Sequence, residues 1–191
     1  MKRSYTSHIF GPKAHPPLAE SLRSQDGFSL IELLVVMGVL GVLIGGAVFT
    51  INPLEQLQKA RDTQRKNDLS QVARALEAFY QDYGSYPENT SNYKIDSDAS
   101  AGTTEVDWGG SFAPYITALP KDPNTNRIYV YAQDLSGQSY RLYVSLERGS
   151  KDTDVCKADG TACDNAPASV NCGSSASEIC NFGISSSNVS P

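Results

Sequence analysis

Histidine is nearly missing from this 191-residue chain: His8 and His15 are the only two, and both lie ahead of residue 27. Everything downstream therefore lacks the imidazole that a Ser-His or Cys-His catalytic pair needs. No glycine-rich phosphate loop is present. Cysteine is absent until residue 156, and no C-x2-C pair occurs, which argues against a structural zinc site. Positive charge is also scarce, with 16 Lys and Arg against 21 Asp and Glu for a formal charge of −5. From residue 75 onward, seven basic side chains face fifteen acidic ones. An acidic body of this kind is a poor partner for nucleic-acid phosphates, so no direct nucleic-acid binding is expected. No nucleophile, metal or phosphate constellation stands out, and the chain reads as a non-enzyme.

Charge is missing altogether from Leu33 to Ile51. Extending back to Phe28 gives 24 residues in which Glu32 is the sole ionisable side chain. At about 1.5 Å per residue this run covers about 36 Å as a helix, enough for the hydrocarbon core of a bilayer. A cleavable secretory signal is the first alternative, because Lys2, Arg3, Lys13 and Arg23 precede the run. Signal h-regions are shorter, however, and the apolar character continues past Gly45-Gly46-Ala47 through Val48, Phe49 and Ile51. A carboxylate at membrane depth is costly and calls for a partner or a function. The bland reading of Glu32 is a side chain near the interface that reaches water close to a helix N-terminus.

The four cysteines, Cys156, Cys163, Cys172 and Cys180, crowd the last 36 residues in a Gly/Ser/Asn-rich context. That pattern reads as a disulfide framework in an oxidising compartment. Four cysteines allow three connectivities, and the short loops favour Cys156 with Cys163 and Cys172 with Cys180. Orientation signals conflict. Lys13 and Arg23 flank the span on one side, while Lys59, Arg61, Arg65 and Lys66 follow it, which by local count would place the C-terminal side in the cytoplasm. The cysteines argue the opposite, and we give them more weight, since long translocated domains often override local charge.

The stretch "GFSLIELLVVMGVLGVLIGGAV" resembles the N-terminus of type IV pilins and of type II secretion pseudopilins. The resemblance implies a leader over residues 1–27, cleavage between Gly27 and Phe28 by a prepilin peptidase, N-methylation of Phe28, and Glu32 as the fifth mature residue. It also implies filament assembly, with Glu32 meeting the cationic amine of Phe28 in its own or a neighbouring subunit. Opposite charges about 4 Å apart attract by about 4 kcal/mol at an effective dielectric of about 20, before desolvation. Gly38, Gly41, Gly45 and Gly46 would permit close helix approach, with Gly41 and Gly45 forming a G-x-x-x-G.

Beyond Pro53, "LEQLQKARDTQRKNDLSQVARALEAFYQDYGSYP" reads as an amphipathic helix ending near Gly84 and Pro87. Leu69, Val72, Leu76, Phe79, Tyr80 and Tyr83 form its apolar stripe. Glu55 with Lys59 and Asp62 with Lys66 are spaced for i, i+4 ion pairs. If Pro53 bends the helix without ending it, residues 28–83 form one rod of about 84 Å. Residues 88–118 read as a long polar surface connection anchored by Trp108. "RIYVYAQDLSGQSYRLYVSLE" reads as two strands around a turn, with Tyr140, Leu142, Val144 and Leu146 on a buried face and Arg141, Tyr143, Ser145 and Glu147 facing out. "LPKDPNTNRIYVY" is similar to the segment entering the sheet in major pseudopilins.

The expected architecture is α+β: a long N-terminal helix, half membrane and half amphipathic, packed on a small antiparallel sheet with a disulfide-stapled tail. Its parts are the leader 1–27, the filament-core helix 28–53, the head helix 54–87, the loop and sheet 88–150, and the cysteine tail 151–191. Family resemblance also raises calcium, for which Asp152 and Asp154, with Asp159 and Asp164, are weak candidates whose spacing misses the EF-hand pattern. The expected function is a structural subunit of a type IV pilus or type II secretion pseudopilus. Its partners by resemblance are the prepilin peptidase, other pilin or pseudopilin subunits in a homo-oligomeric filament, the assembly ATPase and platform, and the membrane. The expected location is a single-pass membrane protein with an extracytoplasmic head, later a filament. The alternative is a permanently membrane-anchored extracytoplasmic binding module.

Overall fold

The structure is a computed structural model that describes residues 27–50, 52–97, 104–168 and 170–191. Residues 1–26 of the expected leader lie outside the described residues. The chain divides into two units, parted between Thr50 and Ile51. The first contains helix α1, Leu30–Thr50. The second opens with helix α2, Pro53–Tyr83, and carries all the strands.

The single rod considered from the sequence is replaced by two helices. Asn52, with φ −72° and ψ 94°, leaves the helical region, and its side-chain oxygen accepts the Glu55 N–H at 3.4 Å. Proline explains the interruption: it disfavours helical geometry in the residue before it, and its missing N–H suits the first position of a new helix. Gly84 ends α2 with φ +72°, a conformation glycine adopts without steric cost, and donates its N–H to Tyr80 at 2.8 Å.

Along α2, Leu69, Val72, Ala75, Leu76 and Phe79 are buried at helical spacing. Tyr80 is half-buried at the edge of the stripe, and Tyr83 is exposed with its ring against Phe79. Neither of the i, i+4 ion pairs read from the sequence is the one made. Glu55 approaches Arg148 and Lys151, Asp62 pairs with Arg65, and Lys66 pairs with Asp152 and Asp154. Pairing along an exposed helix is worth only a few tenths of a kcal/mol, so Glu55 and Lys66 take partners from beyond α2, while Asp62 joins the buried Arg65.

The apolar stripe lies against a three-stranded antiparallel sheet of β3 (Val130–Gln133), β4 (Tyr140–Val144) and β5 (Phe182–Ser185), ordered β3-β4-β5. Tyr131 pairs with Leu142 and Leu142 with Ile184, which makes β4 the central strand. Two further strands, β1 (Ile95–Asp96) and β2 (Glu105–Val106), pair as a ribbon within residues expected to be only a surface connection. That segment instead contributes Ile95, Val106 and Phe112 to the core. Trp108 packs edge-on against Tyr129 with centroids 5.3 Å apart.

One face of the sheet presents Tyr129, Tyr131, Tyr140, Leu142, Val144 and Phe182 to the helix-side core. Its other face was expected to be wet, but Tyr143 and Ser145 are buried there. The cysteine segment folds back over that face, joining Val130 and Tyr143 to Cys163, Cys172 and Cys180 in a second apolar cluster. Gly183, paired with Tyr143, leaves room for its ring; a Cβ there would come within 2.7 Å of the Tyr143 side chain.

Disulfides join Cys156 to Cys163 and Cys172 to Cys180, with Cα separations of 5.1 and 5.0 Å. The Cys163 N–H donates to the Cys180 carbonyl at 2.9 Å, and the Ile128 N–H donates to that of Cys172 at 3.0 Å, so the two loops are tied to each other and to the entry of β3. Closing such a short loop by a disulfide stabilises by about 2–4 kcal/mol. Replacing both Cys172 and Cys180 by alanine is expected to cost this amount, read by chemical denaturation of the full chain with Trp108, its single tryptophan, as the fluorescent probe.

Candidate functional site

Two regions carry the candidate functional residues, and each belongs to its own unit. In the first, Gly27, Phe28 and Ser29 precede the helix, with Phe28 largely exposed. The Ser29 carbonyl accepts the Leu33 N–H at 3.1 Å and so starts α1. Glu32 lies in the first turn. Ser29-Leu30-Ile31-Glu32 therefore has the S-x-x-E spacing of a capping box, a signal the sequence reading passed over. A carboxylate in that turn also complements the partial positive charge of the helix N-terminus. Every residue from Phe28 to Ala47 is exposed, and this helix is long and apolar enough to cross a membrane. At Gly38, Gly41, Gly45 and Gly46 the space a Cβ would occupy is open. An apolar helix with no polar face must bury itself in lipid or against other helices.

In the second region, the N-terminal half of α2 carries a chain of charges. Arg65 is fully buried, with Nε on Asp122 at 2.7 Å, Nη1 on Asp62 at 2.8 Å and Nη1 near Glu147 at 3.0 Å. Asp62 accepts the backbone N–H groups of Glu147 at 2.9 Å and Arg148 at 3.0 Å, and Asp122 accepts that of Asn124 at 2.8 Å. Arg61 donates Nε to Glu147 at 2.8 Å. Burial works against the Arg65 charge, but hydrogen bonds to Asp122, Glu147 and Asp62 outweigh it and hold the guanidinium protonated above its ordinary range. Glu147 is pulled down to about 2 from 4.5, first by the Arg61 hydrogen bond and against the opposing effect of burial.

This network escaped the sequence reading, although a signal was there. Asp62 and Arg65 continue the spacing of Leu69, Val72 and Leu76, so two charges sit on the buried stripe and require partners. One partner, Asp122, lies inside the quoted "LPKDPNTNRIYVY".

The four aspartates considered for calcium do not come together. Asp152 and Asp154 each accept a hydrogen bond from the Lys66 ammonium, at 2.7 and 2.8 Å. Asp159 accepts the N–H and hydroxyl of Thr161, and Asp164 pairs with Lys157. Among the described residues no group of three or more His, Cys, Asp or Glu is placed to hold a metal. Calcium takes six to eight oxygen ligands, and the aspartates considered for it face Lys66, Thr161 and Lys157 instead. Burial disfavours the Lys66 charge, yet hydrogen bonds to Asp152 and Asp154 raise its pKa. Asp152 is correspondingly held low, with the Lys66 hydrogen bond overcoming burial.

A membrane-length helix headed by Gly-Phe-Ser-Leu-Ile-Glu, followed by an amphipathic helix against a small antiparallel sheet, defines the pilin-like class of subunits. Comparison with known families is in accord: residues 22–48 match the prokaryotic N-terminal methylation motif. Residues 52–160 match the family described as type II secretion system (T2SS), protein G, and the chain belongs to that family. Among its relatives are the type II secretion system core protein G of Pseudomonas aeruginosa, 28% identical over 70% of this chain and 93% of that protein, and that of Vibrio cholerae, 28% identical over 74% and 86%. No solved structure matches the chain significantly.

Removing one member of a buried ion network strands the others, at a cost of about 3–5 kcal/mol. Arg65→Met is expected to lose that much stability, measured by denaturant unfolding of the full chain. Glu147 makes the pH dependence specific. Its folded pKa lies below its ordinary value, so its contribution is complete above about pH 4.5 and is lost as pH falls towards 2. The stability gap between the wild-type chain and Glu147→Gln should therefore narrow over that window in acid melting curves.

Proposed function

We propose that this chain is a structural subunit of a type II secretion pseudopilus, anchored by α1 with its head outside the cytoplasm. The observation that carries this reading is the junction of two features in one chain: the methylation motif at the head of an exposed apolar helix, and a head of the protein G family. In this reading prepilin peptidase cuts between Gly27 and Phe28, and Phe28 is methylated on its new amine. Subunits then leave the membrane and pack through α1, whose apolar surface exchanges lipid for neighbouring helices. Glu32 meets the amine of a neighbour's Phe28, which sets the stagger between copies. Repeating one heterologous contact builds an open helical filament. The role is structural rather than catalytic, and the energy comes from an assembly ATPase and platform supplied by other proteins. A permanently anchored binding module receives no support from the family match.

Protein purified from its native membrane is expected to begin at Phe28 and to carry one methyl group, as read from the N-terminal mass. A chain retaining residues 1–27 would overturn the processing step. Glu32→Val should reach the membrane at normal levels yet reduce filament yield by roughly tenfold, the change that ~1.4 kcal/mol per contact produces. Unchanged filament yield would remove Glu32 from assembly.

A further inference from the structure

After β4 the chain turns through a short 3-10 helix, Gly149–Lys151, and passes back over α2 at Asp152–Asp154. The Asp154 N–H donates to Asp152 Oδ1 at 3.0 Å, a tight local turn that brings the second carboxylate beside the first. Both carboxylates converge on Lys66 Nζ, at 2.7 and 2.8 Å. The same ammonium lies 5.4 Å from the centroid of the Phe182 ring, at the start of β5. One cation thus ties together the middle of α2, the loop after β4 and the strand that closes the sheet. The surrounding groove is lined by Lys59, Lys66, Arg148 and Lys151 against the carboxylates of Asp152 and Asp154. A divalent ion entering it would lose both oxygen donors to an ammonium already bonded to them, and would face more positive side chains than negative ones.

We propose that the Lys66 ammonium is the resident cation of this loop, standing where a divalent metal would otherwise be needed, so that the head closes without calcium. An ammonium supplies three directed N–H donors, which suit two carboxylates and leave one side for an aromatic face. Calcium takes six to eight oxygens, and the two carboxylates of this loop are already bonded to the ammonium. Being covalently part of α2, the ammonium holds the loop whatever the free calcium concentration. The inference concerns how the head is held together and stands or falls independently of the filament reading.

The test uses the full chain purified in detergent, melted in chelator and again at ~10 mM calcium, above the dissociation constants of weak extracellular sites. The wild-type Tm is expected to be the same in both, whereas a site that binds calcium would raise it by mass action. A calcium-dependent rise in the wild-type Tm overturns the proposal. Lys66→Met is expected to lower Tm by about 3–8 °C, and neutralising the stranded carboxylates as well, with Asp152→Asn and Asp154→Asn, should recover much of that loss. A Lys66→Met chain that melts with the wild type would show that the ammonium does not hold the loop, and so would also overturn the proposal. If the single variant fails to fold, the wild-type calcium comparison and the triple variant still decide the matter.

Discussion

A guanidinium sealed from solvent has to be neutralised where it lies, and much of the head is arranged to do that for Arg65. Asp62 reaches it from one turn earlier on α2, Asp122 from the segment leading to β3, and Glu147 from just after β4. Two stretches far from α2 in sequence must therefore arrive at one point of it. Satisfying the carboxylates recruits further groups, because each oxygen needs donors: Asp62 takes the backbone N–H groups of Glu147 and Arg148, and Glu147 takes Arg61. Such a network adds little net stability compared with well-packed apolar residues, but any arrangement that leaves one member unpaired is penalised heavily. That asymmetry selects one placement of the loops on the helix. Lys66, one residue on, extends the same logic to the loop at Asp152–Asp154.

The two units solve opposite problems. The head covers its apolar side chains with its own chain: α2 and the β1–β2 ribbon on one face of the sheet, the cysteine segment on the other. Helix α1 covers nothing of its own, and its exposed surface from Phe28 to Ala47 is a debt to be met by lipid or by other subunits. A subunit whose head is complete and whose anchor is incomplete can change its surroundings without refolding. In the function proposed above, that division of labour leaves assembly to the anchor.

How much of this was legible depended on the range of the interactions involved. Leu69, Val72, Leu76 and Phe79 could be placed from spacing alone, because a helical face is a local property. The Gly-Phe-Ser-Leu-Ile-Glu motif was legible for the same reason, being contiguous. Tyr143 was misplaced to the solvent side since its strand alternates correctly, yet the cover over that face comes from Cys163, Cys172 and Cys180. Strand β5 was missed because Phe182-Gly183-Ile184-Ser185 is short and contains a glycine, and its register is set by β4 rather than by its own sequence. Sequence shows how the four aspartates are spaced, but not that Asp152 and Asp154 both face Lys66.

The basic residues that follow the span are the point where two lines of reasoning conflicted, and in the head they have a second role. Counted as topology signals, Lys59, Arg61, Arg65 and Lys66 would hold the C-terminal side in the cytoplasm. Arg61, Arg65 and Lys66 have a different purpose, since each is committed to carboxylates contributed by residues 122–154. The disulfides point the other way with a chemical argument, because glutathione and thioredoxin keep cytosolic thiols reduced. They are also integral to the head: the Cys163 N–H bonds the Cys180 carbonyl, and the strand that completes the sheet begins two residues after Cys180. With strands of only four and five residues in that sheet, the head relies on these short covalent loops and on the Arg65 and Lys66 pairs to hold its last layer in place. Disulfides of this kind suit a head outside the cytoplasm, and Arg61, Arg65 and Lys66 serve its fold by pairing with its carboxylates.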